Sequence, residues 1–226
     1  MSNLKLIISS ILKVASLFLL VFWGAGRLDY WQGWVFSATM LLTGLVVYIL
    51  FRSNPDLFKE RLKPGPGMKW WDKVFWVFNA LFYLGAMVVG ILGGGRELWP
   101  EFIPLWGYIV SYVGYVIGAF IIFWAMWTNK FFSSVVRIQK DRDQKVITGG
   151  PYKYVRHPGY VGASILMMAI GPILGSLWAM IPSGLWVLSI IIRTYLEDKT
   201  LQKELDGYKE YTKKTKYRLI PGIWTF

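Results

Sequence analysis

Cysteine is absent from the 226 residues, and His157 is the only histidine. Disulfide frameworks, thiol nucleophiles, Cys/His zinc sites and histidine-clustered iron sites are thereby excluded. Charge is scarce too: charged residues make up 17% of the chain, against about 25% in a soluble domain. Acidic residues are the scarcest, 13 against 25 Lys and Arg, for a net charge of +12. No GxGxxG follows a strand-like run, so a soluble dinucleotide domain is not indicated, and no repeat or low-complexity tract is apparent. At roughly 150 residues per domain the length allows one domain.

In place of charge there are apolar runs, from about Leu4 to Trp23, Trp34 to Phe51, Val74 to Leu92, Leu105 to Trp127, Tyr160 to Leu174 and Leu177 to Ile192. A bilayer span takes about 20 residues, range roughly 17 to 25. The middle three runs meet that length. The last two are short and are expected to form a tight hairpin turning at Gly171, Pro172, Gly175 and Ser176. The first holds Lys13 in its middle, with Ser9, Ser10 and Ser16. A cleaved signal peptide is the competing reading there, but Gly24-Ala25-Gly26 leads through Arg27 to Trp31 directly into the next apolar run, so the segment is kept as a span.

The basic residues alternate between the intervening segments. Lys5 and Lys13 lie at the N-terminus, six between Arg52 and Lys73, seven between Lys130 and Arg156 and eight between Arg193 and Arg218, whereas the other loops carry only Arg27 and Arg96. Six spans with both termini inside put 23 of the 25 on one face, as the positive-inside rule requires. The excess charge then reflects topology and lipid headgroups rather than nucleic acid.

Residues 1–127 read as a four-span scaffold, with Trp and Tyr at the run ends as interfacial belts. Pro55, Pro64 and Pro66 with Gly65 and Gly67 prevent Ser53 to Trp71 from being one continuous helix, so a headgroup-level loop is expected there. Residues 128–226 hold the polar chemistry in two patches, within one integrated domain. The first runs from Gly149 to Gly162 and carries Tyr152, Arg156, His157, Pro158, Gly159 and Tyr160. Its glycines permit close backbone approach to a ligand, and its prolines fix turns where the chain enters the membrane. The bland alternative is a helix-entry device with Arg156 and Lys153 on lipid phosphate. The second patch is Arg193 to Asp198, in which Arg193 and Glu197 share a helix face. An ordinary i,i+4 ion pair explains that spacing, and so does a functional pair at the membrane boundary. The tail, with Leu201, Leu205 and Tyr208 at helical spacing, is expected to be a surface helix followed by a membrane-touching terminal segment.

Together, Thr148-Gly149-Gly150-Pro151-Tyr152, Arg156-His157-Pro158-Gly159-Tyr160-Val161-Gly162, Arg193 through Asp198, Tyr208, Tyr211 and Arg218-Leu219-Ile220-Pro221 resemble the isoprenylcysteine carboxyl methyltransferase family. That family lies within the wider group of membrane methyltransferases that includes the phospholipid N-methyltransferases. The likeness covers about Ser133 to Trp224. It implies S-adenosyl-L-methionine as methyl donor at the cytoplasmic membrane surface. By position it implies cofactor contacts from Arg137, from the strip Gln144, Lys145, Val146 and Ile147, from the turn Tyr152, His157, Pro158, Gly159 and Tyr160, and from Glu197, with Arg193 on the acceptor. Arg193 and Glu197 are then the catalytic candidates. Arg137 stands where the eukaryotic enzymes have glutamine, Asp198 where the family has a second glutamate, and Glu204-Leu205 where it often has Phe-Gly.

The residue chemistry fits this implication, because in-line displacement at a sulfonium asks mainly for alignment, exclusion of water and charge management. Backbone amides around Gly149 and Gly150 are expected to take the donor's carboxylate. A carboxylate acceptor needs no base, whereas an amine would need Glu197 or His157 as one. The expectation is therefore an all-α integral membrane protein with about six transmembrane helices, a C-terminal hairpin and helix, and a cytoplasmic cofactor site. Its partners are a lipid-like or prenylated acceptor and membrane lipids, with no metal and no nucleic acid. Phospholipid amine N-methylation, an NADPH-dependent membrane reductase and a non-enzymatic scaffold are the alternatives. Since the chain has no cysteine, Lys145→Cys reports topology cleanly: a membrane-impermeant thiol reagent should reach it from the cytoplasmic side, and labelling only from outside would overturn the assignment.

Overall fold

A computed structural model describes residues 14–52, 55–99, 102–223 and 225. Helix α1 is Val14–Trp23, ending in the π-helical turn Leu19–Trp23. The expected first span therefore lies partly outside the described residues. Then follow α2 (Trp31–Arg52), α3 (Pro55–Leu62), α4 (Trp70–Gly94), α5 (Leu105–Thr128), α6 (Pro158–Ile173), α7 (Met180–Glu204) and α8 (Tyr208–Lys214). No strand occurs among the described residues.

Among the described residues, three helices are long and apolar enough to cross a bilayer, at Trp31–Ile49, Trp70–Gly94 and Leu105–Thr128. Their outward faces are exposed and apolar, as at Val77, Leu81, Val110, Val116 and Phe120, which is the surface that lipid rather than water would solvate. Inside, Val21, Phe22, Phe36, Met87, Ile91, Tyr115, Met167 and Ile173 belong to one buried cluster that joins α1, α2, α4, α5 and α6.

Helix α5 crosses α6 at close range. A Cβ on Gly162 would lie 2.5 Å from the Gly118 carbonyl oxygen, and one on Gly118 would lie 2.6 Å from the Gly162 carbonyl oxygen. The two backbones are in direct contact. Between apolar helices in lipid, small residues supply association by allowing this approach.

The hairpin turns at Gly175 and Ser176, two of the four residues expected to form it, while Gly171 and Pro172 belong to α6. Helix α6 continues through Gly171 and Pro172 to Ile173, and the reversal falls at Gly175, whose φ is +86°. Pro172 lies in the last turn of α6, where its fixed φ is compatible with the helix. Helix α7 then runs beyond its apolar part to Glu204, because Arg193, Thr194 and Asp198 give its polar half a buried stripe. The single tail helix expected through Leu201, Leu205 and Tyr208 is two pieces: Leu205 is extended and Gly207 takes φ +79°, so α8 starts afresh at Tyr208. The loop expected over Ser53 to Trp71 holds the short helix α3, opened by Pro55 at a position where a helix tolerates proline.

Contacts sort the connections between the two ends of the bundle. At one end Arg96 donates to the Gly24 carbonyl and Tyr30 to the Leu174 carbonyl. At the other, the α3 loop, the segment from 129 to 157 and the tail are bonded to one another. Lys69 at the head of α4 lies 2.7 Å from Glu204 at the end of α7, and the Lys69 amide donates to the Val136 carbonyl at 3.1 Å.

Gly162→Leu is expected to force α5 off α6 and to lower the unfolding midpoint of the detergent-purified protein, by at least the roughly 1–3 kcal/mol typical of overpacking. Gly184→Leu, where an added Cβ meets nothing within 4 Å, should not lower it.

Candidate functional site

A cavity of about 290 Å³ opens at the polar end of the bundle. Its walls come from α3 to α8 and from the segment between α5 and α6. The strip Gln144, Lys145, Val146 and Ile147 forms one side, where Val146 and Ile147 pack with Leu201, Leu205 and the buried Tyr208 and Tyr211. Tyr152, His157, Pro158, Gly159 and Tyr160 form another, and Arg137, Arg193 and Glu197 line it as well. The structure thus brings to one cavity every residue that the resemblance assigns to the cofactor or the acceptor. Gly149 and Gly150 do not line it. Gly150 (φ +53°) turns against Thr128, whose Oγ1 would sit 2.6 Å from an added Cβ, so these glycines serve packing on the end of α5 and offer no amide cradle.

The turn carrying His157 is held from behind by Asp198, which has no exposure. Arg156 grips both carboxylate oxygens (Nε to Oδ1 2.8 Å, Nη2 to Oδ2 3.0 Å), and Arg218 Nε donates to Oδ2 at 3.0 Å. Tyr208 donates its hydroxyl proton to Oδ1 at 3.0 Å and Gln202 its amide to Oδ2 at 2.8 Å, while His157 Nε2 lies 3.4 Å from Oδ1. Burial alone would raise the Asp198 carboxyl, but the hydrogen bonds from His157 and Arg156 prevail and hold it well below the usual carboxylate range. Arg156 also donates to the Thr215 and Lys216 carbonyls, and the Arg156 and His157 amides donate to the Tyr217 and Arg218 carbonyls. The tail is thereby clamped to the turn, and the lipid-phosphate alternative for Arg156 gives way to a fully buried ion pair.

Arg137 lines the cavity, yet all five of its N–H groups are engaged. Glu60 accepts from Nε at 3.0 Å and Nη2 at 2.8 Å, Asp141 from Nη1 at 2.7 Å and Nη2 at 3.2 Å, and the Pro66 carbonyl from Nη1 at 3.5 Å. Burial would raise the Glu60 carboxyl, but the hydrogen bonds from Arg137 and Ser133 leave it lowered. Arg137 ties the α3 loop to the segment after α5.

Arg193 and Glu197 share a helix face as expected but are not each other's partner. Arg193 Nε lies 2.9 Å from Asp72 Oδ1 on α4, and Nη2 donates to the Ser134 carbonyl at 2.8 Å and to Asp72 Oδ2 at 3.3 Å. Its guanidinium carbon lies 4.4 Å from the Phe75 ring centroid, 5.6 Å from Trp76 and 5.4 Å from Tyr160. Asp72 also accepts the Val136 amide at 2.7 Å. Glu197 instead accepts the Tyr160 hydroxyl, and the Tyr160 ring stacks on His157 with centroids 5.7 Å apart. Glu197 is thus a lining carboxylate to which no arginine donates a hydrogen bond among the described residues, although Arg193 lies near enough to attract it.

Towards the apolar part of the bundle the cavity is walled by Trp76 and Asn79 of α4, Ile122 of α5, Ala163 of α6, and Trp186 and Ile190 of α7. A polar chamber and an apolar slot are therefore continuous, the arrangement needed to hold a water-soluble molecule against the head of a lipid-like one. The sequence reading missed Asp72, Glu60, Arg61 and the role of Asp198. A signal was present: acids are few, and an acid such as Asp72 opening an apolar run must find a cation or pay heavily for desolvation.

Asp198→Asn leaves Arg156 and Arg218 buried without their counter-charge, and loss of one partner from a buried pair costs about 3–5 kcal/mol. The variant should unfold at markedly lower temperature. Because the folded-state pKa is depressed, the stabilisation is full above the ordinary aspartate pKa of about 3.9 and is lost progressively as pH falls from there through the lower folded value. The wild type should show no loss from this group between neutral pH and the ordinary aspartate range.

Residues 106–206 match the family model described as phospholipid methyltransferase. The chain is 27% identical over 168 residues to the protein-S-isoprenylcysteine O-methyltransferase of Schizosaccharomyces pombe, covering 64% of this chain and 69% of the yeast protein. It is 42% identical over 95 residues to the probable protein-S-isoprenylcysteine O-methyltransferases of Oryza sativa subsp. indica and subsp. japonica, covering 39% of this chain and 48% of each rice protein. The chain thus spans about half the length of the rice relatives. Over the region that holds α5, the polar turn, α6 and α7, the chain is therefore similar both to the phospholipid methyltransferase model and to the protein-S-isoprenylcysteine O-methyltransferases.

Proposed function

We propose that the chain is an integral-membrane methyltransferase that uses S-adenosyl-L-methionine and methylates the carboxylate of a lipid-like acceptor, with the donor in the polar chamber and the acceptor's tail in the apolar slot. The observation that carries this reading is the single cavity joining Glu197 and the 144–147 strip to the slot between Trp76, Ile122, Trp186 and Ile190. The residues suit the donor. Glu197, to which no arginine donates among the described residues, is the counter-charge for its cationic centre, and Lys145 takes over from Gly149 and Gly150 as the partner for its carboxylate. Val146 and Ile147, backed by Leu205, offer an apolar wall to its base. The donor supplies a methyl group made electrophilic by its sulfonium sulfur.

What the chain contributes is placement. Tyr160, hydrogen-bonded to Glu197 and stacked on His157, fixes the carboxylate's direction. Asp198 fixes His157 in turn, and the clamp between 156–157 and 217–218 closes the chamber from behind. Arg137 acts here as a positioning residue, holding the α3 loop over the site through Glu60. Arg193, seated among Phe75, Trp76 and Tyr160, stands at the junction of chamber and slot. A carboxylate acceptor is already a nucleophile, so no residue has to move a proton. Methylation of a phospholipid amine is the second reading, favoured by the family model that matches residues 106–206. It requires Glu197 or His157 to accept a proton. The cytoplasmic placement of this end, with six spans and both termini inside, follows from the charge alternation and remains part of the proposal.

Calorimetric titration of the detergent-purified protein with S-adenosylhomocysteine and with NADPH tests the reading. S-adenosylhomocysteine should bind and NADPH should not. Glu197→Gln and His157→Ala should each weaken binding at least tenfold, about 1.4 kcal/mol, whereas Phe102→Ala at the opposite end should leave it unchanged. Absence of S-adenosylhomocysteine binding by the wild type would overturn the proposal.

A further inference from the structure

Among the arginines lining the cavity, one has no acidic partner among the described residues. Arg137 is taken by Glu60 and Asp141, Arg156 by Asp198, and Arg193 by Asp72 and the Ser134 carbonyl. Arg61, in the last turn of α3, lines the same cavity and is half-buried. Its guanidinium carbon sits 5.1 Å from the centroid of the Phe132 ring, itself a wall residue, and no carboxylate or hydrogen-bond acceptor meets the guanidinium among the described residues. Its pKa is lowered, because burial, with repulsion from Arg193, outweighs the pull of the Tyr160 hydroxyl. A guanidinium partly removed from water, lying against an aromatic face and beside another cation, is a charge whose environment lacks an anion.

We infer that Arg61 binds the oxyanion of the acceptor, a carboxylate on the head of a lipid-like molecule whose tail occupies the slot. The inference rests on the methyl-transfer reading and shifts the acceptor's counter-charge from Arg193 to Arg61. Arg193 already faces the buried carboxylate of Asp72 and donates to the Ser134 carbonyl, so an acid drawn to it would meet a charge that is already matched. Arg61 can receive one without breaking any contact, and its planar fork accepts a carboxylate by two parallel hydrogen bonds.

The charge balance of the reaction then gives Arg61 a defined kinetic role. Carboxyl methylation forms one C–O bond and breaks one C–S bond, the bonding pair going to sulfur, and no proton moves. The negative charge of the acid and the positive charge of the sulfonium disappear together. Arg61 is matched before transfer and unmatched after it, so it favours the acid over its methyl ester and helps the ester to leave. Since the acid's charge is already diminished in the transition state, the interaction is strongest in the ground state. Losing it raises KM and spares kcat.

The test uses the full chain in detergent with radiolabelled S-farnesylcysteine and its carboxyl methyl ester as probes. By equilibrium binding the wild type should prefer the acid at least tenfold. Arg61→Gln should bring the acid-to-ester ratio near one, and Arg61→Lys should retain part of it. S-adenosylhomocysteine affinity should stay within twofold in both variants, which also reports an intact fold. In turnover, Arg61→Gln should raise the KM for S-farnesylcysteine at least tenfold with kcat within threefold. Retention of the acid preference by Arg61→Gln, or no binding of either probe by the wild type, overturns the inference. So does a loss of S-adenosylhomocysteine binding equal to that of the acid, which would assign Arg61 to the donor. If Arg61→Gln lowers instead the binding of phosphatidic acid in vesicles and leaves S-farnesylcysteine untouched, the oxyanion is a lipid phosphate and the carboxylate assignment fails. A wild type that discriminates acid from ester but transfers no methyl group from the donor overturns the methyltransferase reading and leaves Arg61 as an acid-binding residue.

Discussion

The Asp198 carboxylate is sealed from solvent and holds two guanidinium groups, Arg156 from the turn before α6 and Arg218 from the tail. Neither arginine lies near it in sequence, so the pairing is possible only when α7, the turn and the tail have come together. Asp72 with Arg193 and Glu60 with Arg137 repeat the device, each joining segments far apart in the chain. Ion pairs of this kind give less net stability than well-packed apolar groups, but they penalise every arrangement that leaves one member unpaired. With 13 acids against 25 bases, the buried acids are the limiting component. Their placement decides which arginines become ties and which remain available to a ligand.

The apolar half of the molecule obeys a different constraint. In lipid the helices gain nothing from hiding leucine from water, so their arrangement depends on shape. Gly118 and Gly162 bring α5 and α6 into backbone contact. Because α6 begins at Pro158, the depth of that crossing also sets where His157 and Tyr160 stand. The cavity exists because one end of the bundle is spaced by long paired side chains while the crossing holds α5 and α6 close. Residues of α4 and α5, within the part of the sequence that reads as scaffold, supply Trp76, Asn79 and Ile122 to its wall.

Much of this was legible in the sequence, for reasons that are local. Apolar runs of span length became α2, α4 and α5, and the density of glycine, proline and aromatic residues around His157 marked the cavity wall. The pairings were not legible. Arg193 and Glu197 are neighbours on a helix, and proximity in sequence favours an ion pair between them. Tertiary packing instead presents Arg193 with Asp72 from α4 and Glu197 with the Tyr160 hydroxyl. Likewise Gly149 and Gly150 have the composition of a ligand cradle, but their turn faces Thr128 on α5. The break at Gly207 was hidden because Leu201, Leu205 and Tyr208 keep helical spacing across it. A glycine at positive φ interrupts the backbone without interrupting the pattern of buried side chains.

The distribution of charge also limits how such a site can accelerate methyl transfer. A reaction that cancels a cation against an anion has a transition state less charged than its reactants, so fixed charges in the wall hold the ground state more tightly than the transition state. On the proposed reading, Glu197 and Arg61 are therefore suited to capture and to release. The rate advantage has to arise from alignment, the collinear approach of acceptor oxygen, methyl carbon and sulfur, and from the exclusion of water that would compete as acceptor. Rigid placement supplies the first: Tyr160 is held at once by Glu197 and by stacking on His157, and His157 by Asp198. The apolar slot supplies the second. In this arrangement the buried carboxylates do their work at a distance from the reacting atoms, by holding still the few groups that face them.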